Sequence, residues 1–333
     1  FFFQAEDGIR DRSPSRGLGV VYKRQAVCMM AGTASLPHVM MRYFTTPSVR
    51  TARRSVGWSL FFIFLLYSSA PMLATLSKIS LMDPNLATGI IGKSITEVQA
   101  LDWYQNWNQA KLMFVSDFNG NGTLELNEFF MKGSAVVLAT PEIAGLPYVI
   151  SGLVAAGGMA AAMSTADGLV LAISNALSHD VYYKIINPKA ETAKRLIVAR
   201  VLLVLIGFAG ATIAALEIQG ILGSVIWAFD FAMSGLFFPL VLGVWWKRAN
   251  APGAVAGMLL GLISGTAYLI WVRSGGSGFL GITQLTFGIV GAAVSLVSMV
   301  VVSLITTAPD AATQKMVDDV RVPSGKTILG KQH

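Results

Sequence analysis

Residues 152–184 read GLVAAGGMAAAMSTADGLVLAISNALSHDVYYK, and the apolar part of that stretch decides what kind of protein this is. From 148 to 177 the chain carries Asp167 as its only charged side chain. Such a run can cross the hydrocarbon core of a bilayer as a helix, for which about 20 apolar residues suffice. Gly157, Gly158, Ala160, Ala161 and Ala162 open its backbone to close approach by a neighbouring helix. Ala161, Ser164 and Thr165 stand at i, i+3 and i+4 and so share one face. A backbone carbonyl and two hydroxyls on one face can form part of an all-oxygen shell for a hard cation without burying a charge. Asp167 follows within a turn, and an ionisable residue inside a span is a functional candidate by default. Spacing alone leaves a second reading open, in which the hydroxyls only hold membrane helices together.

The rest of the chain agrees with a lipid-embedded protein: 54% hydrophobic residues, 13% charged, mean hydropathy +0.61. Further apolar runs at 56–77, 196–216, 221–246, 251–272 and 282–305 bring the expected spans to six. A seventh piece, 26–41, is too short to cross and reads as the end of a helix cut by truncation, so the transmembrane core is 26–306. Basic residues collect at Arg42, Arg50, Arg53 and Arg54, at Lys184, Lys189, Lys194 and Arg195, at Lys247 and Arg248, and at Lys315 and Arg321. These clusters fall on alternate sides of successive spans, as cytoplasmic segments do. The expectation is therefore a multi-pass protein of the cell (inner) membrane with a cytoplasmic tail, 307–333, and with the loop 79–146 outside. Lys and Arg outnumber Asp and Glu by 25 to 18, but with no aromatic-interleaved basic patch they indicate no nucleic-acid partner.

Residues 1–25 lack an initiator Met, an apolar stretch and a cleavage site, so they are no signal peptide. They resemble translated adapter sequence, and are expected to be disordered and foreign to the fold, with the true chain beginning upstream of Ala26. The single Cys28 excludes an intrachain disulfide. With three His, no nucleophile–base pair and no glycine-rich phosphate loop, nothing points to an enzyme.

Within the outer loop, residues 117–128 read DFNGNGTLELNE and match D-x-[DN]-x-[DN]-G-x5-E in full. Asp117, Asn119 and Asn121 supply side-chain oxygens at positions 1, 3 and 5, Gly122 permits the turn, and Thr123 offers its carbonyl. Glu125 stands at position 9 and Glu128 can close the site with both oxygens. Two amides in place of carboxylates suit a weak extracellular Ca2+ site that clips the loop into one shape. A turn-rich surface loop without metal is the competing reading, and Asn121-Gly122-Thr123 is also a glycosylation sequon.

The run AAMSTADG with ISNALSHDVY after it resembles the ion-site helix of the sodium:solute symporter family. GTASLPHVMMRYFTTPSVRTARRSVGW (32–58) and SGLFFPLVLGVWWKRANAPGAVAGM (234–258) are similar to segments of its cation/acetate branch, in the same order along the chain. The resemblance covers about 26–305. It implies an all-α leucine-transporter-like fold of inverted repeats around a midplane site, here lacking the opening broken helix. It also implies Na+ as coupling ion, held by the Ala161 carbonyl and the Ser164 and Thr165 hydroxyls, with Asp167 near a second ion position. The helix with Pro71 would line the substrate cavity through Tyr67, Ser68 and Ser69, unless the proline is only a packing kink. Asp230 and Phe231 would line it from a later helix, with a structural partner for Asp230 as the competing account. Glu217 is expected at a solvated helix end, and His38 as a satisfied structural residue. The implied activity is sodium-driven uptake of a small organic solute, a short-chain monocarboxylate such as acetate. A transporter-like membrane sensor, or a symporter of an amino acid or another carboxylate, is the alternative.

Overall fold

Local chemistry sets where the helices begin and end. Helix α1 (Arg16–Ser35) stops where Leu36 turns extended ahead of Pro37, which opens the short α2 (Pro37–Met41) at a position where its missing N–H costs nothing. This computed structural model describes residues 16–321 apart from 84, 87 and 217–219. Residues 16–25, expected to be disordered, form the first turns of α1. A nucleated helix extends at one hydrogen bond per added residue, and Arg24 anchors it by donating from Nη1 to the Leu280 carbonyl at 2.6 Å. The remainder of that stretch, 1–15, and Glu217 lie outside the described residues. The piece 26–41, expected as one helix end, is split at Leu36 between α1 and α2.

The chain continues through α3 (Val49–Met82), α4 (Ile95–Gln99), α5 (Asp102–Gln109), strands β1 (Met113–Val115) and β2 (Phe129–Met131), and α6 (Val136–Ile143). Helix α7 (Tyr148–Asn175) widens into π-type turns over Ala176–Ile186. Then come α8 (Thr192–Ala215), α9 (Ile221–Ala232), a second π-type segment (Met233–Phe237), α10 (Phe238–Trp245), α11 (Ala251–Arg273), α12 (Gly288–Ile305) and α13 (Ala311–Arg321). Six of these stretches are long and apolar enough to cross a membrane: Val49–Met82, Tyr148–Ile186, Thr192–Ala215, Ile221–Trp245, Ala251–Arg273 and Gly288–Ile305. The protein is an all-α polytopic membrane protein, and the spans match the six apolar runs. The first extends into its polar flanks, because a helix ends at breakers rather than where hydropathy falls. The last starts at Gly288, because Phe279–Gly281 and the turn after it use up the start of the apolar run.

Contacts divide the described chain into two compact units, one built on Arg54–Asp167 and the other on the segment ending at Arg53 that holds α1 and on the chain from Gly168 onward. In the first, the segment expected as a loop has its own core. Leu81, Ile90, Val98, Tyr104, Met113, Leu124, Phe129, Ala139 and Ile143 are buried together. Strands β1 and β2 pair antiparallel, Phe114 opposite Phe130 with their rings stacked at 4.7 Å. The Trp107 indole donates to Glu142 at 2.8 Å, tying α5 to α6.

In the second unit, α11 and α12 form the closest pair. Gly253, Gly257, Gly261 and Gly265 follow one another at i, i+4 and are all buried. A Cβ at Gly257 would lie 3.0 Å from that of Met299, and one at Gly261 would lie 2.8 Å from that of Ser295. The two backbones therefore pack at a separation that only glycine allows. Asn250 caps α11 by accepting from the Gly253 N–H at 3.0 Å, and Arg248 donates to the Thr306 carbonyl at 2.6 Å beyond the end of α12. Arg321 of α13 donates to the carbonyls of Val244 and Trp245 at 3.0 and 2.8 Å, closing the end of α10, and Lys247 pairs with Asp318 at 2.8 Å.

Candidate functional site

Helix α7 presents the expected ion-site residues on an exposed surface. The Thr165 hydroxyl reaches back one turn and donates to the Ala161 carbonyl at 3.2 Å, so these two oxygens converge. Ser164 immediately precedes Thr165 on the helix and, like Thr165 and Asp167, is exposed. The back-bond is the ordinary resting state of a helical threonine. It leaves the hydroxyl lone pairs and the second lone pair of the carbonyl free for a cation. Three neutral oxygens make half a shell for a hard ion, and further donors must come from another segment.

The residues expected at the substrate cavity fall into the two units. On α3, Pro71 has no N–H, which leaves the Tyr67 carbonyl without its usual i+4 donor. The Ser69 hydroxyl turns back to the Leu66 carbonyl at 2.8 Å, and Tyr67 and Ser68 are exposed. On α9 of the other unit, Phe231 packs edge-on against Phe287 with centroids 5.0 Å apart. Asp230 has no exposed surface at all, and neither of its carboxylate oxygens has a hydrogen-bond partner. It faces the Cys28 thiol across from α1, a neighbour that no local sequence signal announces. His38 is half-buried with Nδ1 unpartnered, not satisfied as expected. Burial and the nearby Arg42 guanidinium push its pKa down and favour the neutral ring.

The loop 117–128 joins β1 to β2 in the first unit. Asp117 accepts the N–H of Gly120 at 2.7 Å and of Gly122 at 3.0 Å, one on each oxygen. Both glycines lie at positive φ, 72° and 71°, where a side chain would be strained. Asn119 and Asn121 each accept the amide two residues on, at 2.9 and 2.7 Å, so their oxygens face the inside of the turn. Their amide groups both donate to Glu125 Oε1, at 3.0 and 3.2 Å. Glu128 is fully buried and spans the loop, Oε1 accepting from Phe118 N–H and Oε2 from Glu125 N–H, each at 3.0 Å. Leu124 is buried, and its N–H and C=O pair with Lys93 and Gly92. The donor set is all oxygen, which fits a hard cation. No group of three or more acidic, His or Cys side chains converges among the described residues, so the amides and the Thr123 carbonyl would have to complete such a site.

Residues 132–261 match the model of the sodium:solute symporter family, a range that contains α7 to α10. The chain is 41% identical over 289 residues to an uncharacterized symporter of Cupriavidus necator, covering 84% of this chain and 41% of that protein. It is 27% identical over 241 residues to a monocarboxylic acid transporter of Corynebacterium glutamicum, covering 72% of this chain and 36% of that protein. The chain thus spans about two-fifths or less of the length of these curated relatives.

Proposed function

For a chain with a sodium:solute symporter segment at its centre, we propose sodium-coupled symport of a small organic solute, with a short-chain monocarboxylate such as acetate as substrate. The observation that carries the reading is the convergence of the Ala161 carbonyl and the Thr165 hydroxyl, beside Ser164, on an unbroken helix inside the family-matched range. Sodium is a hard ion that takes neutral oxygens, so a carbonyl and two hydroxyls can bind it and let it go. Asp167 supplies negative charge nearby. The monocarboxylic acid transporter among the relatives supports the substrate class.

In this reading the fold is the leucine-transporter-like pair of inverted repeats, and rocking of one helix bundle against the rest exposes the site to each side in turn. Tyr67, Ser68 and Ser69 contact substrate beside the Pro71 break. The basic ends of the spans face the cytoplasm of a cell whose inner membrane holds the protein, and the loop 79–146 lies outside. There, Asp117, Asn119, Asn121, Thr123, Glu125 and Glu128 bind calcium weakly and brace the loop. The loop's inward-facing oxygens and two positive-φ glycines support that role.

Uptake of labelled acetate into proteoliposomes carrying the complete polypeptide, with and without an inward sodium gradient, tests the proposal. Accumulation that requires the gradient is expected. Equal accumulation without sodium would overturn the coupling, and no accumulation of acetate or other short monocarboxylates would overturn the substrate class.

A further inference from the structure

We infer that Asp230 is a proton-binding site, its carboxyl protonated while the seam between α1, α9 and α12 is closed and releasing that proton when the seam opens. The first ground is isolation. Asp230 is fully buried, with no hydrogen bond to either carboxylate oxygen. The Ser234 hydroxyl, one turn on, is already committed to the Asp230 main-chain carbonyl at 2.7 Å. The Cys28 thiol on α1 and the N–H groups of Phe287 and Gly288 at the start of α12 lie nearby without reaching hydrogen-bond geometry.

The second ground is the tightness of the seam. A Cβ at Gly288 would lie 2.9 Å from the Asp230 Cα and 3.0 Å from Oδ1, and one at Gly32 of α1 would lie 2.7 Å from the Phe229 Cβ. Glycine at Gly288 lets α12 approach the Asp230 backbone and carboxyl, and glycine at Gly32 lets α1 approach the neighbouring Phe229.

The third ground is charge. Among the described residues, Arg24 of α1 is taken up by the Leu280 carbonyl, and Arg273 of α11 stacks on the Trp227 ring at 5.0 Å. Helix α12 contributes no titratable side chain, and no ion pair to Asp230 forms among the described residues. An unpaired carboxylate in such surroundings costs far more than taking up a proton, so the neutral acid is the stable form. If α9 and α12 part, water enters, the carboxylate becomes the stable form and the proton passes to solvent. Only the link to a transport cycle rests on the symporter reading; the proton site itself does not.

Infrared difference spectra of the purified protein between acid and alkaline pH test this without a transport assay. The expected result is a carbonyl band of a buried carboxylic acid at neutral pH that disappears in Asp230→Asn. Cys28→Ser, which puts a better donor beside the anion, is expected to keep the band and move its loss to lower pH. It serves as the second test if Asp230→Asn does not fold. A spectrum with no such band at neutral pH, or a Cys28→Ser titration identical to wild type, overturns the proposal in favour of an ionised carboxylate that caps α12. In proteoliposomes, Asp230→Asn is expected to flatten the pH profile of uptake, and an unchanged profile overturns the link to the cycle. The band together with absent uptake in wild type would sink the symporter reading and leave the proton site standing.

Discussion

Replacing Glu128 by Gln separates what holds the outer loop together from what a metal would add. Glu128 is fully buried and accepts two backbone N–H groups, from Phe118 and Glu125, each at 3.0 Å. Gln keeps the shape and one acceptor, but turns an NH2 group toward the other amide. The loss is one hydrogen bond to a charged group, worth roughly 1.5–3 kcal/mol, and an amide left facing a donor, which adds about 1 kcal/mol. The loop should therefore lose about 2.5–4 kcal/mol even in chelator.

Calcium adds a separate increment. A weak extracellular site with a Kd of about 0.1–1 mM stabilises the folded loop by roughly 0.6–1.8 kcal/mol at about 2 mM calcium, from the mass-action relation. The assay is limited proteolysis of the loop during a thermal ramp on the intact protein in detergent, with calcium or with chelator. Wild type should resist cleavage to a higher temperature in calcium, and Glu128→Gln should be weaker in chelator and gain nothing from calcium. Wild-type indifference to millimolar calcium would refute the metal clip. Wild-type resistance of Glu128→Gln in chelator would refute the account of Glu128 as the internal brace.

Gly261→Ala should lower the melting temperature, because its Cβ would collide with the Ser234 carbonyl and lie 2.8 Å from the Ser295 Cβ and 3.1 Å from the Gly291 carbonyl. Overpacking against backbone costs about 1–3 kcal/mol against a helix-propensity gain of up to about 1 kcal/mol. Gly210→Ala on α8, with nothing within 4 Å of the new methyl, is the control expected to be neutral or stabilising. Equal melting of the two variants would refute the glycine seam. Thr165→Ala removes only a back-bond within its own helix, so protein level should change little while half-saturating sodium for uptake rises at least about tenfold, equivalent to about 1.4 kcal/mol. An unchanged sodium response would remove Thr165 from the ion site. Arg321→Ala strips two donors from the end of α10 and should free α13 to protease at an early stage of digestion; unchanged cleavage would mean that α13 is held by other contacts.

What the sequence determined alone is what depends on neighbours along the chain. Six apolar runs became six helices because burying an unpaired backbone group in lipid is so costly that a long apolar run has no other way to satisfy itself. The loop 117–128 was equally legible, since a positive-φ glycine and an Asx turn are local devices whose partners lie within a few residues. The convergence of Ala161 and Thr165 followed from the helical repeat. Tertiary structure decided whatever depends on residues far apart in sequence. Lys93 and Gly92 pair with Leu124, and Ile90 shares a core with Ile143, so a segment without long apolar runs folds into a small unit of its own. Cys28 meets Asp230 roughly two hundred residues away, and Gly253, Gly257 and Gly261 of α11 meet Ser295, Met299 and Ser303 of α12. An aspartate inside an apolar run and a glycine repeat are visible in the sequence, but their partners are chosen by which helix faces fit most closely. That choice is made by packing in three dimensions, on which hydropathy and helical periodicity carry no information.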